Sequence, residues 1–278
     1  MHSIHIRYTK PDEKLCLTIL LGKTWSMQGA PDDSELQGII PRLNTALFER
    51  IEIEKVSRPS AQFLVTASYF EIYNEFIFDL LDSADRKKKP TAAKGGLEIK
   101  EHPILGVYVK GLQEHVVENA VKLQKIIDQG MKSRTVASTQ MNADSSRSHS
   151  VFVITVRQKD TVDESKNVFA KVNLVDLAGS ERVKSTGASG ATLKEGANIN
   201  KSLSELGNVI NALVAQAKGK KGVFVPYRNS KLTRVLQESL GGNSITAMLA
   251  ALSPAGSFFE ETLSTLKYAN RAKAIKVI

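Results

Sequence analysis

What most constrains this chain is a pair of apolar, β-branched runs, Val151–Val156 and Val168–Val175, the second of which ends directly on Asp176. A polar loop, Asn142-Ala143-Asp144-Ser145-Ser146-Arg147-Ser148-His149, leads into the first, and Asp176-Leu177-Ala178-Gly179-Ser180-Glu181 leaves the second. Near-continuous apolar runs bounded by polar loops read as buried strands of an α/β sheet. Ligands in such sheets bind just beyond the carboxyl ends of the strands, so this stretch reads as a site.

A carboxylate at a strand end can hold a water on Mg²⁺, and a glycine three residues on lets its backbone N–H approach a γ-phosphate. Asp176 and Gly179 have that spacing, and the hydroxyls of Ser145 and Ser146 lie on the other loop. Alone, D-x-x-G reads more readily as a strand exit carrying a solvated aspartate; the serine-rich second loop is what favours a nucleotide.

With 278 residues and 42% hydrophobic content the chain can bury a large core, and one domain is expected. The formal net charge of +9 suits an acidic partner, whether nucleic acid, anionic membrane or acidic protein, without choosing among them. The single cysteine, Cys16, excludes an internal disulfide framework and fits a reducing compartment. No apolar run reaches the length of a membrane span, since the candidate Leu15–Leu21 is short and contains Thr18. Asp12 and Glu13 before it, with no small-residue cleavage site after it, argue against a signal peptide.

Leu15–Leu21 leads into Gly22-Lys23-Thr24 and a helical pattern. That is the back half of a G-x-x-x-x-G-K-[ST] phosphate loop, in which the lysine reaches the β- and γ-phosphates and the threonine hydroxyl binds Mg²⁺. Its first glycine would fall at Leu17, and Thr18, Ile19, Leu20 and Leu21 are bulky where a phosphate nest needs unobstructed amides. Taken alone, the tripeptide reads as chance.

Further along, Leu36, Ile39, Ile40, Leu43, Leu47 and Ile51 have helical spacing, and Phe63–Tyr73 reads as a long strand. Residues 82–96, with Arg86-Lys87-Lys88-Lys89-Pro90, read as a solvated insertion, followed by short strands at Leu97–Ile99 and Val107–Lys110. A helix capped by Asn119 is expected to run toward Gly130. Ser185–Glu195 reads as mobile, and a long helix follows with Ile199, Leu203, Leu206, Ile210 and Leu213 as its core stripe. A basic loop (Lys218, Lys220, Lys221), a helix to about Leu240, a strand Ile245–Leu252 and a helix Phe259–Lys273 complete the pattern, with no internal repeat.

Several of these segments together resemble a kinesin motor domain. The resemblance is carried by Asn142–His149 (N-x-x-S-S-R-S-H), Leu174–Glu181 (L-V-D-L-A-G-S-E), Lys194–Leu213, Val225–Leu232, Gly241–Ser244, Ala251–Pro254 and Glu261–Ala269. It covers the chain from about Gly22 to its end. Residues Glu101–Val109 further resemble the vesicle-transport kinesins of the third subfamily.

The resemblance implies an α/β, three-layer fold of the P-loop NTPase type, with a central mixed sheet flanked by helices and its first strands missing. It implies an atypical segment at 1–21, a partial motor domain at 22–278, ATP and Mg²⁺ as cofactors, and a microtubule-stimulated ATPase. By resemblance Lys23 and Thr24 hold the β/γ-phosphates and Mg²⁺, with Gly22, Trp25, Asn142 and Ser145 also at the nucleotide. Ser146 and Asp176 attend the metal, Gly179 senses the γ-phosphate, and Arg147 pairs with Glu181 across closed switches. Lys194, Lys201, Lys218, Lys220, Lys221, Tyr227, Arg228 and Lys231 would face tubulin, whose acidic surface suits the basic chain. The implied setting is the microtubule cytoskeleton of the cytoplasm, without nucleic acid or membrane insertion.

Departures from the family pattern set further expectations. Met1–Leu21 has no counterpart of the family's first strands or of the R-x-R-P segment against the adenine, so the strand at Ile245–Leu252 should expose a hydrophobic edge. The abrupt change at Gly22 suggests a truncated or misassembled coding sequence, and Ile278 falls where a neck linker would begin, leaving no lever, stalk or cargo region. Trp25 is expected either to stack on the base or to pack in the core. The chain is expected to hydrolyse ATP poorly. Two other readings stand beside the motor: a non-catalytic microtubule-binding module, and a switch-type nucleotidase acting on another partner.

Overall fold

The computed structural model describes residues 14–19, 23–30, 33, 35–82, 96–103, 106–140, 147–179 and 191–275. Its centre is set by alternation. In β2 (Ala61–Tyr73), β7 (His149–Asp160) and β8 (Val168–Asp176), successive side chains point to opposite faces, and both faces are buried. Val65, Ala67, Tyr69, Phe152, Ile154, Val156 and Leu174 enter one core, while Phe70, Ile72, Val151, Val153 and Val175 enter the other. The strands therefore read as continuous apolar runs, and helices must cover both sides.

The sheet order is β3-β2-β7-β8-β1-β9, where β1 is Lys14–Ile19, β3 is Phe76–Asp79 and β9 is Ser244–Leu249. β6 (His115–Val117) pairs with β2, and β4 (Glu98–His102) and β5 (Gly106–Lys110) form a separate hairpin. β7 runs antiparallel to β2 and β8, whereas β1 is parallel to both β8 and β9, so the sheet is mixed as expected. Residues 14–19, part of the segment 1–21 that departs from the family pattern, form the strand between β8 and the edge strand β9.

One face carries α1 (Lys23–Gln28), α2 (Ile39–Ser57) and α3 (Ala120–Gln140), which contribute Met27, Leu43, Leu47, Leu123 and Ile127 to the first core. The other carries α4 (Ala191–Ala217), α5 (Lys231–Val235), α6 (Gln237–Gly241) and α7 (Phe259–Ala272), which contribute Leu206, Ile210, Leu232, Leu240 and Tyr268 to the second. The result is the three-layer arrangement.

Several boundaries differ from expectation, β7 among them: expected over Val151–Val156, it runs from His149 to Asp160. α3 does not stop at Gly130 but packs it against β2, where a Cβ would lie 2.2 Å from Tyr69 Cδ1; the glycine permits close approach rather than marking an end. α4 already begins at Ala191, because Ala191, Leu193, Lys194 and Glu195 are strong helix formers; the rest of the segment expected to be mobile lies outside the described residues. β9 ends at Leu249 because its ladder partner β1 ends at Ile19. The helix expected to reach Leu240 is broken at Leu236 into α5 and α6.

At the end of the described sheet, β9 leaves Ile245 53% exposed and Leu249 exposed too, as the edge expectation requires. Among the described residues no helix is long and apolar enough to cross a membrane.

Candidate functional site

The site is built on one row across the sheet. Glu71 on β2, Ser150 on β7, Asp176 on β8 and Ile19 on β1 are successive cross-strand partners. Parity directs the first three side chains to the α3 face, since Tyr69, Phe152 and Leu174, two residues before them or after them, lie in the α3-side core. Arg134, seven residues after Ile127 on α3, meets that row and is only 5% exposed.

The Arg134 guanidinium gathers the row. Nη1 donates to Asp176 Oδ2 at 2.8 Å and to Ser150 Oγ at 3.1 Å, while Nη2 donates to the Ser148 carbonyl at 3.0 Å. The Glu71 carboxylate lies 3.7 Å from Nε. Burial works against the Arg134 charge, but Asp176, Tyr69 and Glu71 outweigh it and raise its pKa. For Glu71 burial wins: its pKa is raised, although Ser148 and Arg134 pull the other way.

Asp176 is thus half engaged. Its Oδ2 is held by Arg134, whereas its buried Oδ1 has no hydrogen-bond partner among the described residues. Gln28 Nε2 on α1 is likewise buried and without a partner among them, and both residues line one cavity of about 10 Å³, room for a single water. An orphaned carboxylate oxygen at a strand end fits a residue that reaches a metal through water.

The phosphate-loop side fits less well. β1 runs Lys14–Ile19 and α1 starts at Lys23, and residues 20–22 between them lie outside the described residues. Leu17, where the loop's first glycine would stand, is a ladder residue paired with Leu174 on one side and Ala247 on the other. Its backbone is committed to the sheet and is not available to a phosphate nest. Lys23 and Thr24 do open α1, beside the row that carries Asp176.

On the opposite face, His149 is 2% exposed and joins three elements. Its Nδ1 accepts the backbone N–H of Ala178 at 2.9 Å, and its Nε2 lies 2.7 Å from Ser202 Oγ on α4. With Nδ1 accepting, a neutral ring carries its proton on Nε2 and donates it to the serine.

Of the residues singled out from the sequence, Asp176 and Gly179 are buried at the end of β8 as expected. Trp25 is 62% exposed, which excludes core packing. Gly22, Asn142, Ser145, Ser146 and Glu181 lie outside the described residues, so the Arg147–Glu181 pair does too; Arg147 itself is half-buried beside β7. Lys201 is exposed on α4, and Lys218, Lys220 and Lys221 are exposed in the loop after it. Lys194 is helical in α4. Arg228 is exposed and lies 3.7 Å from Glu101, and Lys231 starts α5 with its backbone N–H on Glu75. Tyr227 turns inward, close enough for its hydroxyl to lie 2.6 Å from a Cβ built on Gly241, and burial raises its pKa.

Arg134 and His149 are the functional residues that sequence reasoning passed over. Arg134 carried a signal, because it recurs on the helix face of Leu123 and Ile127. For His149 the signal was parity with Val151 and Val153, which turns it from Asp176 toward the second core.

Comparison with known proteins agrees with this arrangement. The family model for the kinesin motor domain matches residues 20–275. The mouse kinesin-like protein KIF13A is 51% identical over 258 residues, covering 91% of this chain and 14% of its own length. A solved structure of a fast kinesin superposes with a TM-score of 0.81 at 44% identity, over 96% of this chain and 72% of that one. A KIF14 dimer, solved in a two-heads-bound AMP-PNP state in complex with a microtubule, gives 0.80 at 46% identity, over 95% and 72%. The chain therefore spans about one seventh of the length of the curated relative, 14%.

Proposed function

The chain belongs to the kinesin family, and on that premise we propose that it acts as an ATP-driven microtubule motor domain. The observation that carries this is the placement of Asp176 at the end of β8, beside the strand that leads into Lys23 and Thr24, with one carboxylate oxygen unclaimed. Asp176 would hold a water on Mg²⁺, Thr24 would ligate the metal with Ser146, and Lys23 would meet the β/γ-phosphates among Gly22, Trp25, Asn142 and Ser145. Bound Mg²⁺ neutralises charge that develops on the phosphate oxygens. Arg134 orients Asp176 and leaves it a single working oxygen, Gly179 offers its amide to the γ-phosphate, and Arg147 with Glu181 positions water.

The α4–α5 corner is the proposed microtubule face. Its exposed Lys201, Lys218, Lys220, Lys221 and Arg228, with Lys194, Tyr227 and Lys231 on the same elements, match an acidic partner electrostatically. Its place of work would be the microtubule cytoskeleton of the cytoplasm. A second reading, a non-catalytic microtubule-binding module, is favoured by one observation: the front of the phosphate loop is taken up as strand on both edges of Leu17.

Microtubule co-sedimentation of the purified chain, with ATP turnover followed in the same tubes, tests both. Turnover raised by polymer supports the motor. Binding without turnover selects the passive module, and a folded chain that did neither would sink both.

A further inference from the structure

Between the loop after β8 and the helix α4, the described residues include a fully buried polar link that the proposed chemistry does not use. His149 opens β7, where it pairs with Ile72 of β2, one residue before the ladder to β8 begins at Ser150, so its backbone is anchored to the sheet. Its ring accepts from Ala178, one of the two residues between Asp176 and Gly179, and reaches Ser202 near the middle of α4. Ala178, His149 and Ser202 are all buried, at 2% exposure each, so water does not compete for these bonds.

We propose that His149 is a positioning residue that couples the Asp-Leu-Ala-Gly loop to α4, so that the loop and the helix take up their positions together. Its two nitrogens have opposite duties. Nδ1 accepts from the loop only when Nε2 carries the proton, and Nε2 donates to Ser202 only in that same tautomer. A shift of the Ala178 peptide that withdraws its N–H leaves a buried Nδ1 without its donor and frees the ring to turn, which removes the bond to α4. A displacement of α4 acts in reverse, because coupling between two sites is reciprocal. The functional consequence rests on the motor reading above: the nucleotide end of the molecule would bias the microtubule face through this ring.

The test separates the link from that reading. Ser202→Ala removes the acceptor on α4 and leaves the loop chemically untouched. Amide hydrogen exchange of the full chain is then measured without nucleotide, and the Ala178 amide is expected to exchange about fivefold faster in S202A than in the parent, the worth of one buried hydrogen bond. Unchanged exchange at Ala178 overturns the proposal, whether or not the chain binds nucleotide. His149→Asn supplies an amide oxygen near the Nδ1 position but cannot reach α4. In H149N the Ala178 amide should stay as slow as in the parent while amides of α4 near Ser202 speed up; acceleration at both places to the same extent as in H149A would mean that the ring merely fills space, and would overturn the coupling. Where the parent binds microtubules more tightly with AMP-PNP than with ADP, the ratio of the two affinities should collapse toward one in S202A while ATP turnover without polymer stays within about twofold. A ratio retained in S202A also overturns it.

Discussion

The two sides of Asp176 are built differently. Toward β7 and β2 the sheet is buried on both faces, and its polar row is tied by Arg134 to Glu71, Ser148, Ser150 and Asp176. Toward β1 and β9 it thins to an edge, with Ile245 exposed and the phosphate-loop residues absorbed into strand. The first half of the proposed nucleotide site is therefore over-determined, while the second rests on the β1 ladder at the edge of the sheet. Catalytic competence of such a chain should be limited by the β1–α1 side, whatever the quality of the switch side.

That contrast can be broken most strongly at Arg134. Arg134→Leu leaves Asp176 and Glu71 as buried carboxylates without their cation, and urea denaturation should register a loss of about 3–5 kcal/mol. Phe152→Ala, in the same half, removes a ring that packs edge-on against Tyr69 with centroids 5.3 Å apart. Its cost should again be about 3–5 kcal/mol. A loss under about 1 kcal/mol for either substitution would show that this half is not the rigid one.

Gly130→Ala probes the same region by overpacking, since the added methyl would meet the Tyr69 ring. A destabilisation of about 1–3 kcal/mol is expected in thermal melts.

Glu71 sharpens the comparison through pH. Its folded pKa lies above the ordinary 4.5, so in that window the native state keeps a proton that the unfolded chain has released. Stability contributed by Glu71 therefore falls as pH climbs above about 4.5 and levels off once the folded value is passed. Glu71→Gln, neutral throughout, should gain on the parent as pH climbs above about 4.5 in paired denaturation curves. A parallel pair of curves would refute the assignment. The smallest effect belongs to the opposite edge: Ile245→Thr on β9 should stay within about 0.5 kcal/mol of the parent.

Much of the fold was open to inspection in the sequence because its strands are buried on both faces and so appear as unbroken apolar runs. The existence of β2, β7 and β8, the Asn119 cap, whose side chain accepts from Lys122 N–H at 2.8 Å, and the stripe of α4 all follow from local pattern. Gly130 misled for a physical reason: a glycine that ends a helix and one that lets a helix touch an aromatic ring look the same in one dimension. Of the site, Asp176 and Gly179 were legible because strand and loop are adjacent in the chain. Arg134 and His149 were not assigned, because their partners lie 42 and 53 residues away and only register brings them together.

The sequence by itself determined which segments are strands and which family the motifs resemble, since each of those is set within a few neighbouring residues. Only the tertiary structure decided that 14–19 is the strand between β8 and β9 and that one oxygen of Asp176 belongs to Arg134. It also decided that His149 turns away from Asp176 to α4. Those outcomes depend on which strands lie side by side and in what register, and a shift of one residue would send every one of these side chains to the other face.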